Sequence, residues 1–411
     1  MLKDNYDVIV VGAGPAGTST AKACAEHGLS VAVFDRSNEI GTPKRCGEGL
    51  SANSVKRLKL NIPSRCIAQK IYGAYVYAPD GKEVKIKFSG TDGFILERKV
   101  FDKWLASQAA KAGAEIYCKS EVYDLIKGSA KRSESDGIAK QIFADDYTCG
   151  VKVNTIDGKF NIFGKIVVAA DGVESLTLRK AGLRTSKSPL LVDSGFQYEM
   201  AGIQMRDPHM IELFFGNKIA YRGYCWIFPK GKDIANVGVG ISGANQGKRA
   251  KDYLDDFIES REDLKNGSII EMNGGSIPVG GFMKNMVADG ILGVGDAVNQ
   301  VNPIHGGGIS ESITAGRMAG NVIKKSVDEG DYSAKFLDEY NRVWWKERGK
   351  HLQNAEKVRK AFENMNDDQL NDMASVLVGE DLTDFAHGKT AKLIKIMLKF
   401  KMKGIVRKMK G

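Results

Sequence analysis

The side chains of this 411-residue chain that could act on a substrate are a cysteine in a glycine loop, an alternating aromatic triplet and a histidine ahead of three glycines. Cys46 lies in Arg45-Cys46-Gly47-Glu48-Gly49, a segment too rich in glycine for a helix, where the charge of Arg45 favours a reactive thiolate. Tyr224, Trp226 and Phe228 alternate, so a strand would project all three from one face as an aromatic wall, ended by Pro229. His305 precedes Gly306-Gly307-Gly308 and could donate a proton or a hydrogen bond. Such groups work only if other elements hold them against a cofactor.

Two glycine-rich stretches describe those elements. Val8 to Val11 read as a buried strand, Gly12-x-Gly14-x-x-Gly17 as a turn and Thr18 to His27 as a helix, the context that a dinucleotide fingerprint requires. Gly12 permits the tight turn, Gly14 lets the backbone approach a pyrophosphate and Gly17 lets helix pack on strand. With Ala13, Pro15 and Ala16 they set a helix N-terminus whose N–H groups and dipole face the phosphates. A second strand, Ser30 to Phe34, ends at Asp35, placed to accept from the adenosine ribose. Arg36 could instead welcome a 2′-phosphate and NADP.

The distal stretch Gly290-Ile291-Leu292-Gly293-Val294-Gly295-Asp296-Ala297 decides for FAD. Asp296, at a strand end before a helix, suits the ribityl hydroxyls. Gly306, Gly307 and Gly308 remove side chains where a planar isoalloxazine must meet backbone, and a helix from Ile309 could aim its positive end at the ring. Lys165 to Ala170 read as another buried strand, meeting Asp171-Gly172. Gly238-x-Gly240-x-x-Gly243 also spells the fingerprint, but no strand with a ribose acid follows it.

Composition is that of a globular protein, 43% hydrophobic and 27% charged. No run reaches the roughly 18 apolar residues of a membrane span. The first strand starts too early for a signal peptide, so a cytoplasmic protein is expected. The six cysteines form no C-x-x-C pair, which argues against zinc and disulfides. The net charge of +10 is concentrated in 389–411, which holds nine basic residues and no acid. Leu393, Ile396, Met397 and Phe400 interleave with them at helical spacing, predicting a basic amphipathic tail for a membrane surface or for docking on the protein itself. Nucleic acid is a poor partner, because the tail lacks stacking aromatics.

Along the rest of the chain, Tyr72 to Phe88 read as a hairpin about Pro79-Asp80-Gly81, and Phe101 to Ala112 as a helix. Lys127 to Asp146 read as an irregular loop, Gly195 to Ser242 as an antiparallel sheet, and the chain beyond Ile309 as helical. The order of the fingerprint, Leu96-Glu97-Arg98-x-x-Phe101-Asp102, Asp171-Gly172 and Gly295-Asp296 resembles the FAD-dependent group that includes p-hydroxybenzoate hydroxylase. Within it, Arg45-Cys46-Gly47-Glu48-Gly49, Tyr224-Cys225-Trp226-Ile227-Phe228-Pro229 and Asn302-Pro303-Ile304-His305-Gly306-Gly307-Gly308-Ile309 are most similar to the geranylgeranyl reductases, especially the archaeal enzymes that saturate digeranylgeranylglycerophospholipids. Tyr221 departs from the family pattern, which has proline there.

The resemblance implies a mixed α/β fold: a Rossmann-type FAD-binding domain (1–69, 93–180 and 280–330), an inserted antiparallel substrate sheet (70–92 and 181–279) and a C-terminal helical region (331–411). It implies a cofactor site of Gly12, Ala13, Gly14, Pro15, Ala16, Gly17, Asp35, Arg36, Arg45, Cys46, Gly47, Arg98, Val122, Asp171, Gly172, Asp296, Gly306, Gly307, Gly308 and Ile309, with Arg98 near the pyrophosphate and ribityl region. Tyr224, Trp226, Phe228 and Pro229 would line a prenyl pocket, with Cys46, Tyr224, Trp226 and His305 catalytic. The implied reaction adds a hydride and a proton across isolated prenyl double bonds, the proton coming from Cys46, Tyr224, His305 or water. The implied partners are a prenylated glycerophospholipid, an external electron donor (ferredoxin, reduced deazaflavin or NAD(P)H) and an anionic membrane, with peripheral attachment at its inner face. The same fold also hosts flavin monooxygenases and escort proteins that bind prenyl groups without redox chemistry.

Overall fold

The computed structural model describes residues 2–87, 90–128, 147–183, 188, 191–243 and 247–375. Of the loop expected over 127–146, Lys127 ends strand Glu121–Lys127 and residues 129–146 lie outside the described residues, as does the basic tail at 389–411. Asn5–Val11 forms the middle of an eight-stranded sheet, paired in parallel with Val31–Phe34 on one side and Gly158–Ala169 on the other. Glu115–Tyr117 and Ile291–Gly293 extend the parallel array outward. These strands are nearly unbroken apolar runs because helices cover them, and Val8, Ile9, Val10, Val33 and Val167 are wholly buried.

Helix Pro15–Glu26 begins three residues earlier than the periodicity indicates, because proline is preorganised for the first helical position. It packs against helix Ile309–Glu329 through Gly316 and Gly320. A Cβ on Gly316 would lie 2.7 Å from the Ala16 carbonyl oxygen, and one on Gly320 would lie 2.5 Å from the Ala23 Cβ. Only glycine lets the two backbones approach this closely.

A second, seven-stranded sheet runs in the order Ser268–Pro278, Val192–Ala201, Ile234–Ser242, Tyr224–Pro229, Met210–Phe215, Gly73–Tyr77, Glu83–Lys87. The hairpin expected over Tyr72 to Phe88 is present as its last two strands. The sheet departs from pure antiparallel order at one place, where Met210–Phe215 pairs in parallel with Gly73–Tyr77. Alternation divides its faces. Tyr198, Val237, Val239, Cys225 and Ile227 pack on helix Ala250–Glu259 through Leu254 and Phe257, while the opposite face meets the loop that carries Cys46. The sequence decoy Gly238 to Gly243 is therefore strand and turn.

A buried ionic lattice joins the second sheet to the loop around Cys46 and to the start of helix Arg98–Lys111. Lys44 Nζ lies 2.6 Å from Glu199 and 3.3 Å from Glu48, and Lys230 Nζ lies 3.0 Å from Glu48, 2.9 Å from Glu97 and 3.0 Å from Glu199. Asn236 donates to Glu48 at 2.6 Å, and the Arg98 amide donates to the other Glu48 oxygen at 2.8 Å. Lys44 and Glu48 are 3% and 1% exposed, so these charges exist only because they satisfy one another. Burial opposes the charge of Glu199, but Lys44 and Lys230 hold its carboxyl below the usual range. Burial likewise works against Lys230, yet its three carboxylate partners raise its pKa. Replacing Lys230 by Met leaves the buried Glu48 and Glu199 to share the single cation Lys44, and a stability loss of about 3–5 kcal/mol is expected in urea unfolding. A loss below about 1 kcal/mol would mean that the lattice does not hold the second sheet to the thiol loop.

The C-terminal helices sit at the other end of this interface. Arg359, on helix Lys350–Glu363, lies 3.7 Å from Asp193 at the start of strand Val192–Ala201 and pairs with Glu363. Burial pushes the Asp193 carboxyl up to about 7; Arg359 opposes the shift and Glu363 adds to it. A carboxyl whose folded pKa lies above its unfolded value of about 3.9 binds its proton more tightly when folded. Its contribution to stability is therefore full near pH 4 and is lost as pH rises through about 7. Asp193→Asn should flatten the fall in melting temperature between about pH 4 and 7, and an unchanged slope would show that Asp193 does not titrate there.

Candidate functional site

A trough of about 360 Å³ opens where the parallel strands end. Such crevices beyond the carboxyl ends of parallel strands are where α/β sheets bind nucleotides. Gly12, Asp35, Asp171 and Asp296, each following a different strand, all line it. Gly12 has φ +101°, and a Cβ there would lie 2.4 Å from the Ala170 carbonyl oxygen. A Cβ on Gly17 would lie 1.9 Å from the Gly12 oxygen, whereas one on Gly14 would meet nothing within 4 Å. Gly14 thus leaves open space at the N-terminus of helix Pro15–Glu26, where a pyrophosphate fits.

Both Asp35 oxygens receive amide hydrogen bonds, from Ala13 and from Ser37, each at 2.8 Å, so the acid braces the turn as well as facing the trough. Arg36, Val122, Gly172, Arg45, Cys46 and Gly47 also line it. Asp171 accepts from Ser175 Oγ at 2.7 Å and from the Thr177 amide at 3.0 Å, which makes it first a turn brace. Arg98 forms a bidentate pair with Asp102 (2.9 and 2.8 Å) beside Ala13 and Gly14. Burial works against the Arg98 charge, but Asp102 and then Cys46 raise its pKa. The cation that meets the Cys46 thiol is therefore Arg98, while the exposed Arg45 runs its stem toward Gly275.

The glycine triplet is tightly tied. Gly306 donates to the Asn302 oxygen at 2.9 Å, and the Gly307 amide donates to His305 Nδ1 at 3.1 Å. Gly308 leaves Asp296 room, since a Cβ there would lie 3.0 Å from its Oδ1, and Gly308 caps helix Ile309–Glu329. Gly306 lies against Ile277, a wall residue of the trough. His305 is exposed and its ring folds back onto Gly307. Ile309 packs with Cys46 and Ile313 in an apolar cluster. FAD fits this set: an open turn for the pyrophosphate, acids at two strand ends and a glycine surface for the ring.

Three rows of residues cross the trough face of the second sheet. The first is Tyr224, Gly240, Gly195 and Gly275; the second is Trp226, Gly238, Gln197 and Asn273; the third is Phe228, Asn236, Glu199 and Glu271. The first row is bare beyond Tyr224, whose hydroxyl donates to the His305 carbonyl oxygen at 3.2 Å. In the second, the Trp226 indole lies flat over Gly238, where a Cβ would come within 2.3 Å of it. Trp226 Nε1 donates to Gln197 Oε1 at 3.1 Å, and Gln197 Nε2 donates to the Cys46 carbonyl oxygen at 3.2 Å. The Asn273 amide nitrogen is buried in the trough wall without a hydrogen-bond partner.

Phe228 packs on Gly47, Pro229 is buried at the strand end, and the rings of Phe215, Tyr224, Trp226 and Phe228 follow one another at 5.5 to 5.9 Å. Gln197 and Asn273 escape sequence reasoning. Their only signal is parity with Gly195 and Gly275 on strands whose pairing is long-range.

The geranylgeranyl reductase catalytic domain family matches residues 192–277, the strands that carry these rows, and a NAD(P)-binding Rossmann-like domain matches residues 10–54. Digeranylgeranylglycerophospholipid reductase 1 of Methanosphaera stadtmanae is 39% identical over 396 residues, covering 96% of this chain and 93% of that protein. The digeranylgeranylglycerophospholipid reductase of Methanocaldococcus jannaschii is 38% identical, with 96% and 95% covered. The crystal structure of a geranylgeranyl bacteriochlorophyll reductase-like protein from Thermoplasma acidophilum superposes with a TM-score of 0.86 at 31% identity, covering 97% of this chain and 99% of that one. A flavin-dependent brominase shares the fold alone, with a TM-score of 0.69 at 19% identity over 93% of this chain and 94% of the other. With its fingerprint, its glycine-bordered trough and its aromatic row all inside an alignment that spans nearly the whole length, the chain belongs to the digeranylgeranylglycerophospholipid reductase family of FAD-dependent oxidoreductases.

Proposed function

We propose that this chain saturates the isolated double bonds of geranylgeranyl chains on glycerophospholipids, with FAD as its bound redox group. The observation that carries the reading is the hydrogen-bonded line from Trp226 through Gln197 to the Cys46 loop, beside the bare glycine row. It places one flat aromatic face and one thiol at the same apolar space. Bound FAD supplies a hydride for one alkene carbon.

The chain's own residues must hold the alkene and supply a proton to its other carbon. An unactivated trisubstituted alkene resists hydride alone, so protonation accompanies or precedes it and positive charge develops on the tertiary carbon. The ring faces of Tyr224, Trp226 and Phe228 favour that charge by cation–π attraction of about 0.5–2 kcal/mol. Of the proton-bearing candidates, Cys46 lines the trough, and its sulfur accepts the Glu48 amide at 3.2 Å with Arg98 alongside. Both groups thus face the sulfur from which the proton would leave. Tyr224 serves instead as a brace: burial raises its pKa and keeps the hydroxyl protonated toward the His305 oxygen. The electron donor is external, because Gly238 to Gly243 holds no second nucleotide.

Anaerobically reduced protein mixed with a geranylgeranylated glycerophospholipid should reoxidise as the lipid gains two hydrogens per double bond, read by flavin absorbance and mass spectrometry. Cys46→Ala should lower turnover by about 10²–10⁴-fold, the usual worth of a general acid, and Trp226→Ala by about tenfold or more, both with flavin retained. Equal loss of turnover and flavin in both variants would overturn these roles. A flavin that stays reduced over unchanged lipid would redirect the assignment to oxygen-dependent chemistry.

Among the described residues no helix is long and apolar enough to cross a membrane. The lipid is reached instead by peripheral attachment through the basic segment 389–411, each basic residue contributing about 1 kcal/mol near anionic lipid. Binding to vesicles containing phosphatidylglycerol should weaken steeply with salt and with deletion of 389–411, and indifference to both would exclude this mode.

A further inference from the structure

Gln197, in strand Val192–Ala201, is a buried amide set between the rings and glycines of the trough wall, with 2% of its surface exposed. Both of its polar ends are engaged: Oε1 accepts from Trp226 Nε1 at 3.1 Å and Nε2 donates to the Cys46 carbonyl oxygen at 3.2 Å. An indole N–H can only donate and a backbone carbonyl can only accept, so the link between them must accept at one end and donate at the other. Glutamine meets that demand at every pH. An ionised glutamate of the same shape would set an acceptor against the Cys46 carbonyl, and leucine would leave two buried polar groups unpaired, at about 1–3 kcal/mol each.

The loop that carries the thiol is thereby hung from two adjacent strands by consecutive carbonyls. While Gln197 holds the Cys46 oxygen, Asn236 Nδ2, on strand Ile234–Ser242, lies 3.5 Å from the Gly47 oxygen and donates to Glu48 at 2.6 Å. Phe228 closes the seat: a Cβ on Gly47 would lie 3.2 Å from its ring and 3.7 Å from Gln197 Oε1. The two ties serve different ends. Asn236 fastens the loop to the ionic lattice, whereas Gln197 fastens it to the indole.

The tie to the indole matters because sulfur and ring must serve the same double bond. The proton from Cys46 goes to one alkene carbon, and the positive charge that develops on the other, until it receives the hydride, is favoured by the indole face. A misplacement of about 1 Å in such an arrangement costs about 10²-fold in rate. The Cys46 carbonyl belongs to the residue whose side chain bears the sulfur, so fixing the one limits the travel of the other. Arg98, paired with Asp102, and the Glu48 amide then meet the sulfur itself.

We infer that Gln197 is a positioning residue, which holds the Cys46 thiol in register with the Trp226 indole and so governs proton delivery rather than the binding of lipid or flavin. This rests on the reductase reading above. The amide carries no proton to the substrate; its effect runs through the two groups that it joins.

The experiment compares the purified flavoprotein with its Gln197→Glu and Gln197→Leu variants on a digeranylgeranyl glycerophospholipid. At about pH 8 the carboxylate of Gln197→Glu opposes the Cys46 oxygen, and kcat should fall about 10²-fold with KM and flavin content little changed. Burial and the facing carbonyl favour its protonated form. The charged groups nearest it are already paired, Glu48 and Glu199 with Lys44 and Lys230, Glu271 with Lys99 and Arg98 with Asp102. Once protonated, at about pH 5, the acid donates to Cys46 and accepts from Trp226 as the amide does, so most of the loss relative to the parent at that pH should be recovered. Gln197→Leu should stay slow at both pH values, and the losses of Gln197→Glu and Cys46→Ala should not add. No loss, a loss in Gln197→Glu that ignores pH, one that appears in KM or flavin content, or one that adds in full to that of Cys46→Ala would overturn the assignment. A second arm needs no lipid. Hydrogen–deuterium exchange of the amides around Cys46, read by mass spectrometry, should be about tenfold faster in Gln197→Leu than in the parent, and unchanged exchange would overturn the tie itself. If the parent reduces no lipid, the reductase reading falls and the role in proton delivery with it, and faster exchange would then leave Gln197 only the fastening of the loop.

Discussion

Four buried charges, Lys44, Glu48, Glu199 and Lys230, are the constraint on which the rest of this structure depends. They come from the loop on either side of the thiol, from strand Val192–Ala201 of the second sheet and from the end of the aromatic strand. Because each would be costly alone in the interior, the lattice is satisfied in one placement of the second sheet against the thiol loop. Glu48 feels this most directly. Its backbone is left-handed, at φ +73°, a conformation that non-glycine residues rarely adopt. Asn236 and the Arg98 amide occupy its two carboxylate oxygens, and its own amide points at the Cys46 sulfur. The electrostatic lattice and the presentation of the thiol are therefore one feature.

The same strands divide their labour by rows. Along each strand, residues two apart share a face, so Glu199, Gln197 and Gly195 step from the charged seam to the amide line to the bare surface within five residues. A register slip of one residue would exchange this face for the apolar one that packs on helix Ala250–Glu259. The charged row therefore fixes where the empty row lies. That is how a sheet can offer an unfilled apolar space without collapsing into it. Gly238 shows the economy of the design: its missing side chain is the volume that the Trp226 indole fills, which holds the ring flat and aims its N–H at Gln197.

Much of the nucleotide-binding half was legible because its signals are local. Strand, glycine turn, helix and Asp35 fall within thirty-five residues, and each glycine answers a steric demand inside that span. The aromatic row was legible for the same reason, since alternation over Tyr224, Trp226 and Phe228 needs no partner strand to be read. The lattice was not. Lys44 and Glu199 are 155 residues apart, and lysine and glutamate in isolation read as solvated surface. Arg98 was legible as a cation near the cofactor, but its partnership with Cys46 needs the helix start and the thiol loop brought together. Asp171 lines the trough as expected of its strand end, while the acceptance from Ser175 and Thr177 that also makes it a turn brace depends on residues beyond the Asp171-Gly172 motif.

Helix Ile309–Glu329 ties the nucleotide-binding half together. Its first residues adjoin Gly308 and Asp296, and its first turn carries the buried Glu311, which pairs with Arg348. A 21-residue helix is about 30 Å long, and Gly316 and Gly320 lock this one against helix Pro15–Glu26, whose N-terminus forms the fingerprint turn. The spacing between that turn and the glycine triplet is then set by covalent geometry and close backbone packing rather than by mobile side chains.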